Sequence, residues 1–220
     1  MYDADEPTSH RAKRTVHTDR PYAVLHTADW QMGSLGVDIK TWREHMIRFL
    51  DIPNMGMAIN GDMISNVYAH RSLVPVITQV LAPHQQMRVV ESLLREIIEK
   101  NKLIVVTLSE EHDQRDERVT GMSVFKEILS QFRVPLFDNR GDLVLEVGER
   151  LYTYHIVHRS RYNSSLNRFH TAQREASLFI PANVIFTAHT HRPAIAKENR
   201  MQELAEMCDF LHLPVRFGGD

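Results

Sequence analysis

The chain has a single cysteine, Cys208, among its 220 residues. No intramolecular disulfide framework can form, and this usage fits a reducing compartment. There is no run of the ~18 apolar residues that a membrane-spanning helix needs. The first residues also lack the apolar stretch of a secretory signal. These absences predict a cytoplasmic protein with no membrane partner. A dominant charge sign is missing too. The 26 Lys+Arg stand against 28 Asp+Glu for a formal net charge of -2, so only a local basic patch could point to nucleic acid. Internal repeats and low-complexity tracts are absent, and no linker divides the chain after about residue 20. What remains is an ordinary globular composition, 43% hydrophobic and 25% charged, sufficient for a sizeable core in one domain. The outlier is histidine, with 13 residues.

Residues 1–20 are polar, mixed in charge and without periodicity, which predicts a flexible arm ahead of one domain over 21–220. Apolar runs predict strands at Tyr22 to Thr27, Met57 to Asn60 and Leu103 to Leu108. Helices are predicted around Thr41 to Leu50, from about Val76 to Lys100, and from about Ser123 to Phe132. Within the second of these, Val89, Val90, Leu93, Leu94, Ile97 and Ile98 repeat at helical spacing and mark the buried face. The second half turns to strands at Val134 to Phe137, Leu143 to Val147 and Leu151 to Val157, broken at Arg140-Gly141-Asp142 and Gly148-Glu149-Arg150. A helix over Thr171 to Leu178, a strand over Val184 to Phe186 and a last strand over Leu211 to Phe217 complete the reading. The order β-α-β-α-β followed by a β-rich half predicts an α/β fold, a layered sandwich with mixed sheet.

Four segments place metal-ligand side chains just after predicted strands. They are His26-Thr27-Ala28-Asp29-Trp30-Gln31, Asn60-Gly61-Asp62, Glu111-His112-Asp113 and Ala188-His189-Thr190-His191. Strands of one sheet that release carboxylates and imidazoles at the same end would build a two-metal hydrolytic site. Asp62 is the candidate bridge, because Gly61 lets the backbone approach closely. Asp29 would ligate one metal, and His189 and His191 would present one imidazole to each. Glu111 offers an oxygen ligand. His112 is the candidate proton donor, oriented by Asp113 as a carboxylate–imidazole pair. Each piece alone is an ordinary turn; the ordered set is not.

These residues resemble the calcineurin-like metallophosphoesterases, whose pattern is Asp-x-His, Gly-Asp-x-x-Asp, Gly-Asn-His-Asp/Glu, a lone His, then Gly-His-x-His. The similarity spans about Leu25 to Pro193. Leu25 to Gly33 is similar to the opening of the repair-exonuclease branch. Gln85-Gln86-Met87, Arg118 to Gly121, and His158 followed by Tyr162 to Asn167 look closer to compact phosphoesterases of phages and bacteria. The resemblance implies an α/β/β/α sandwich with mixed sheets. It implies Asp29, Asp62, His158, His189 and His191 as ligands of two divalent metal ions and His112 as the catalytic histidine. Manganese is the expected metal, with magnesium, iron or zinc as alternatives.

Three departures from the family pattern matter, and the glycines before Glu111 and His189 are also replaced, by Glu110 and Ala188. Gln31 stands at a ligand histidine and offers a weaker carbonyl oxygen. Glu111 stands at an asparagine and keeps an oxygen ligand while adding charge. Ser65 stands at the second aspartate of the Gly-Asp motif. The function implied is hydrolysis of phosphodiester bonds, with DNA as the expected substrate, by a metal-bridging hydroxide with a histidine general acid. A phosphatase or small phosphodiesterase acting on nucleotides or phosphoproteins is the alternative enzyme, and a non-catalytic scaffold the alternative class. Arg115, Arg118, Arg159, Arg161 and Arg192 follow ligand segments and are candidate phosphate grips, with Tyr162 and Asn163 as further substrate contacts. Trp30 is a candidate pocket wall that could stack on a base. His26, His155 and His170 are assigned to packing or surface.

Overall fold

A computed structural model of the chain describes residues 10–67, 78–160, 167, 169–178 and 182–191. Its elements run β1 (Arg11–Val16), β2 (Ala23–Thr27), α1 (Ile39–Asp51), β3 (Met55–Asn60), α2 (Pro83–Glu99), β4 (Leu103–Leu108), α3 (Arg115–Thr120), α4 (Val124–Ser130), β5 (Leu136–Asp138), β6 (Arg140–Val147), β7 (Arg150–Val157), α5 (His170–Leu178) and β8 (Val184–Thr187). The protein is of the α/β class, with one parallel and one mixed sheet. Among the described residues no helix is long and apolar enough to cross a membrane.

Strands β2-β3-β4-β5 form one sheet in that order, every pair parallel. Helical crossovers between successive strands enforce this, since a parallel return needs a long connection. β4 is buried along its whole length, which is why Leu103 to Leu108 is apolar at every position but Thr107, without alternation. Met46, Phe49 and Leu50 of α1, Val90, Leu94 and Ile97 of α2, and Phe125 and Leu129 of α4 join Met57, Ile59, Val106 and Leu108 of this sheet in one apolar cluster.

The second sheet, β1-β6-β7-β8, is mixed: β6 and β7 pair antiparallel, while β1 joins β6 and β8 joins β7 in parallel. A second apolar cluster joins the two sheets. Ala58, Ile104, Val105 and Phe137 meet Leu143, Leu145, Tyr154 and Ile156 there. Asn60, fully buried at the end of β3, donates through Nδ2 to the carbonyls of Val157 (3.0 Å) and Phe186 (3.1 Å). One side chain thus pins the carboxyl end of the first sheet to those of β7 and β8.

Four expectations need correction. The strands that feed the candidate site belong to two sheets, not one, because the antiparallel β6–β7 hairpin starts a sheet of its own. Residues 11–16, expected within a flexible arm, form β1. Their charges pair along β6, Lys13 with Glu146 at 2.7 Å and Arg11 with Asp142 at 3.8 Å, while Ala12 and Val16 pack on the inter-sheet cluster. The helix expected from about Val76 begins at Pro83, a residue suited to the first helical turn, and Gln85 folds back to accept from the Ala82 N–H at 2.9 Å. On that helix Val89 is 41% exposed, so the buried face is narrower than its stripe. The short helix α3 was not anticipated. The strand expected at Leu211 to Phe217 lies outside the described residues.

Candidate metal centre

Beyond the ends of β2 and β3 the two chains keep running side by side. Asp29 N–H donates to Gly61 O (3.0 Å), Gln31 N–H to Asp62 O (2.8 Å) and Met32 N–H to Met63 O (3.0 Å). This ladder sets Asp29 beside Asp62. The backbone here is left-handed at Asp29, Gln31, Gly61 and Asp62, and again at His189 and His191. Among the described non-glycine residues with positive φ, every other one is an asparagine: Asn54, Asn66, Asn101 and Asn139. Asparagine adopts this conformation readily; glutamine pays more for it. Strain of this kind gathers where side chains must be aimed, and here it gathers on five expected ligands.

Asp62 is 1% exposed and belongs to two donor groups. One is Asp62, His158 and His189; the other is Asp29, Asp62 and His191, with the ligand atoms of each group within 4.8 Å of one another. His158 Nδ1 lies 2.7 Å from Asn60 O, and His112 Nδ1 lies 2.6 Å from Ser65 O. A carbonyl can only accept, so both rings carry their proton at Nδ1 and turn Nε2 inward. His158 Nε2 then sits 3.3 Å from Asp62 Oδ1, and His112 Nε2 sits 3.9 Å from Asp62 Oδ2. An imidazole anchored to a backbone carbonyl by its far nitrogen is the usual posture of a metal ligand.

Among the described residues His189 Nδ1, buried here, finds no hydrogen-bond partner, and Asp62 Oδ1 and His158 Nε2 have only each other, at 3.3 Å. Orphaned groups of this kind are costly unless a proton or cation sits between them. The electrostatics agree. Burial raises the Asp29 pKa, and the neighbouring Asp62 charge adds to it against the opposing histidines and the His189 N–H. Burial would raise Asp62 as well, but His158, His112 and the Ser109 hydroxyl outweigh it and hold the carboxyl at about 2. His158 is raised despite burial, chiefly by Asp62. His189 is lowered by burial and by the His158 charge. The donor set therefore fits two cations sharing one carboxylate.

Gly61 has φ +74°, and a Cβ there would fall 2.3 Å from His158 Nδ1. Gly61→Ala should therefore cost about 2–4 kcal/mol, from backbone strain plus overpacking against a pinned ring. A thermal melt of the purified variant checks this; an unchanged midpoint refutes the close approach.

Not every expected site residue joins the cluster. Gln31 lies at its rim, its Nε2 3.2 Å from His191 Nε2, and His191 in turn lies 3.6 Å from Asp29 Oδ1. Glu111, expected as a ligand, is instead ion-paired with Arg159. Asp113, expected to orient His112, faces away from that ring. It is fully buried and accepts from Met63 N–H (2.9 Å) and Ser109 N–H (3.0 Å). Neighbours in a tight turn project in different directions, so adjacency in sequence misassigned it. Its work is to brace the loop after β3 against the loop after β4.

Arg115 donates to Asn66 O at 2.7 Å and so also ties these loops together. Trp30 is 5% exposed, donates to Thr27 Oγ1 (2.6 Å) and stacks edge-on with Trp42, so it is core rather than a base platform. Ser65 contributes only its backbone carbonyl to the His112 ring. His26 packs between the rings of Tyr154 and Phe186, and His155 is buried between Asp142 and Glu175. Arg118 pairs with Glu110 at 3.3 Å. Arg161, Tyr162, Asn163 and Arg192 lie outside the described residues.

Two bracing residues escaped the sequence reading. Gln86, fully buried on α2, accepts from Asn66 N–H (2.8 Å) and donates to Gln79 Oε1 and Leu81 O (2.7 Å each). Asn66 donates from Nδ2 to His112 O at 2.8 Å. The available signal was Gln86 standing one helical turn ahead of Val90, Leu94 and Ile97, on the same face.

Asp113 carries a pH signature. Burial pushes its pKa up to about 7 from an ordinary 3.8, despite the two N–H groups that favour its charge. The folded protein then keeps a proton that the unfolded chain releases. This contribution to stability is full below about 3.8 and is lost as pH rises toward about 7. The melting temperature of metal-free protein should fall across that window, and Asp113→Asn should flatten the slope. An equal slope in both proteins would refute the assignment.

Compared with family models, with curated proteins and with solved structures, the chain finds no match in any of the three.

Proposed function

We propose that the chain is a dinuclear, metal-dependent phosphoesterase of the calcineurin-like type, built as an α/β/β/α sandwich and hydrolysing phosphodiesters. The observation that carries this reading is the membership of Asp62 in both donor groups. Asp62 and Asp29 would hold the cations with His158, His189 and His191. When bound, such a pair of ions polarises a phosphoryl group and supplies a nucleophile at neutral pH. The protein's own part is orientation. The carbonyls of Asn60 and Ser65 fix the His158 and His112 rings, and the left-handed turns aim Asp29, Asp62 and His191. His112, with a second proton at Nε2, faces the cluster and is placed to protonate the leaving oxygen.

DNA is the substrate that the exonuclease-like opening favours. The test is titration with manganese, followed by assay of single-stranded DNA against a small chromogenic diester. Hydrolysis that depends on manganese supports the reading; a folded protein that takes up two ions yet cleaves neither defeats it. A catalytically idle scaffold is the second reading, favoured by Gln31 at the rim and by the engagement of Glu111 with Arg159. Elemental analysis separates the two, since no bound metal argues for the scaffold.

A further inference from the structure

The pair Glu111–Arg159 joins the residue before His112 to the residue after His158. Arg159 directly follows His158 in sequence. Asn139 clasps it by both backbone groups, accepting from Arg159 N–H at 3.1 Å through Oδ1 and donating to Arg159 O at 3.4 Å through Nδ2. Asn139 O also accepts from His158 N–H at 2.8 Å, and Asn139 N–H donates to Leu108 O at 2.9 Å. The end of β4 therefore fixes both the inward imidazole and the arginine beside it. Arg159 itself is not consumed by this frame. Its side chain is 55% exposed, and among the described residues it is ion-paired with the Glu111 carboxylate, 36% exposed.

A guanidinium fork matches two oxygens of a carboxylate or of a phosphate equally well. Glu111 immediately precedes His112, so its carboxylate comes from the loop that presents the proposed acid. We propose that Arg159 is a phosphate-gripping residue and that Glu111 is its internal competitor, a carboxylate occupying the place of a phosphate group until substrate displaces it. This rests on the proposed phosphoesterase reading, but it concerns binding of the anion rather than its hydrolysis. The pair sets the threshold for anion entry: a substrate phosphate must exchange with Glu111 for the same fork. Exposed pairs are weak, so the exchange is cheap enough to occur in each cycle.

The test is a double-mutant cycle on the manganese-loaded protein, with binding of inorganic phosphate and of dimethyl phosphate read by calorimetry. Glu111→Gln should tighten both anions by about threefold, and Arg159→Ala should weaken both by about tenfold. The decisive protein is the double variant. With Arg159 gone, Glu111→Gln should no longer tighten anything. Equal tightening in both backgrounds would mean that Glu111 acts only as a diffuse negative charge, and would overturn the proposal. So would loss of manganese from Glu111→Gln, measured with the metal alone, because Glu111 would then be a ligand. Arg159→Lys should recover part of the affinity, as a purely structural role would not require. If the cycle behaves as expected while no ester is hydrolysed, this inference stands and the phosphoesterase reading falls.

Discussion

Asp62→Ala will lose both cations together. Asp29, His158, His189 and His191 serve one donor group each, whereas Asp62 is common to both. Removing it should lower manganese affinity at each position by more than about a hundredfold, since loss of a mere outer-shell partner already costs 10–100-fold. Calorimetry should show no binding where the parent shows two ions, and manganese-dependent hydrolysis should fall to background. Asp29→Ala is the comparison: it should remove one ion and leave the site of His158 and His189. Retention of one ion by Asp62→Ala would refute the shared carboxylate.

The same substitution has a signature without metal. Asp62 is held at about 2 in the folded protein, below its ordinary 3.8. Its stabilising contribution is therefore present above about 3.8 and disappears as pH falls toward about 2. Metal-free Asp62→Ala should be less stable than the parent near neutrality, and the gap should close in acid. His158 acts in the opposite direction, because its pKa is raised. Its contribution is full below its ordinary 6.5 and is lost as pH rises through its folded value. The pair thus stabilises the metal-free protein most in mildly acidic solution. Cations should displace a proton from His158 on binding, because a ligand imidazole must be neutral.

What the chain betrayed locally was most of the element list. Leu103 to Leu108 is an apolar run broken only by Thr107, and it is β4 with the same ends. Gly61-Asp62 after Met57 to Asn60 was legible because a strand end, a glycine and a carboxylate carry their meaning within three residues. β1 was not legible, because Arg11, Lys13 and Arg14 look solvated until Asp142 and Glu146 are set opposite them. Pairing across 131 residues leaves no local trace. Division into two sheets escaped for the same reason: an apolar run says that a strand is buried, not which neighbour it takes.

Within the site, residue types were readable and directions were not. Glu111, His112 and Asp113 are consecutive, yet one faces Arg159, one faces Asp62 and one faces the core. Asp113 was misassigned because the pairing rule for carboxylate and imidazole was applied to sequence neighbours rather than to spatial ones. His158 follows a strand but sits in no motif of its own, so only the family resemblance singled it out. The five left-handed ligand residues could not be foreseen either. Aspartate, histidine and asparagine adopt positive φ more often than other residues, but most of them in any chain do not, so residue type alone does not mark the position, and glutamine carries no such preference.

His112→Ala should separate binding from chemistry. The ring lies 3.9 Å from Asp62 Oδ2 and outside both donor groups, so the ions should stay. Its Nδ1 proton is committed to Ser65 O, which leaves Nε2 as the one ring atom able to deliver a proton to a substrate. Loss of a positioned general acid lowers turnover by about 10²–10⁴-fold. The expected result is two manganese ions per chain, little change in KM, and kcat reduced within that range. The leaving group supplies the internal control. A diester whose alcohol departs easily as an anion needs little help from an acid, so His112→Ala should be far less damaging toward a nitrophenyl diester than toward DNA or an alkyl ester. His112→Gln should behave like alanine toward both substrates, since it can donate a hydrogen bond but cannot surrender a proton. An equal loss on good and poor leaving groups would remove His112 from the proton transfer. An unchanged kcat on DNA would remove it from the chemistry altogether, and would leave the 2.6 Å bond to Ser65 as its whole function.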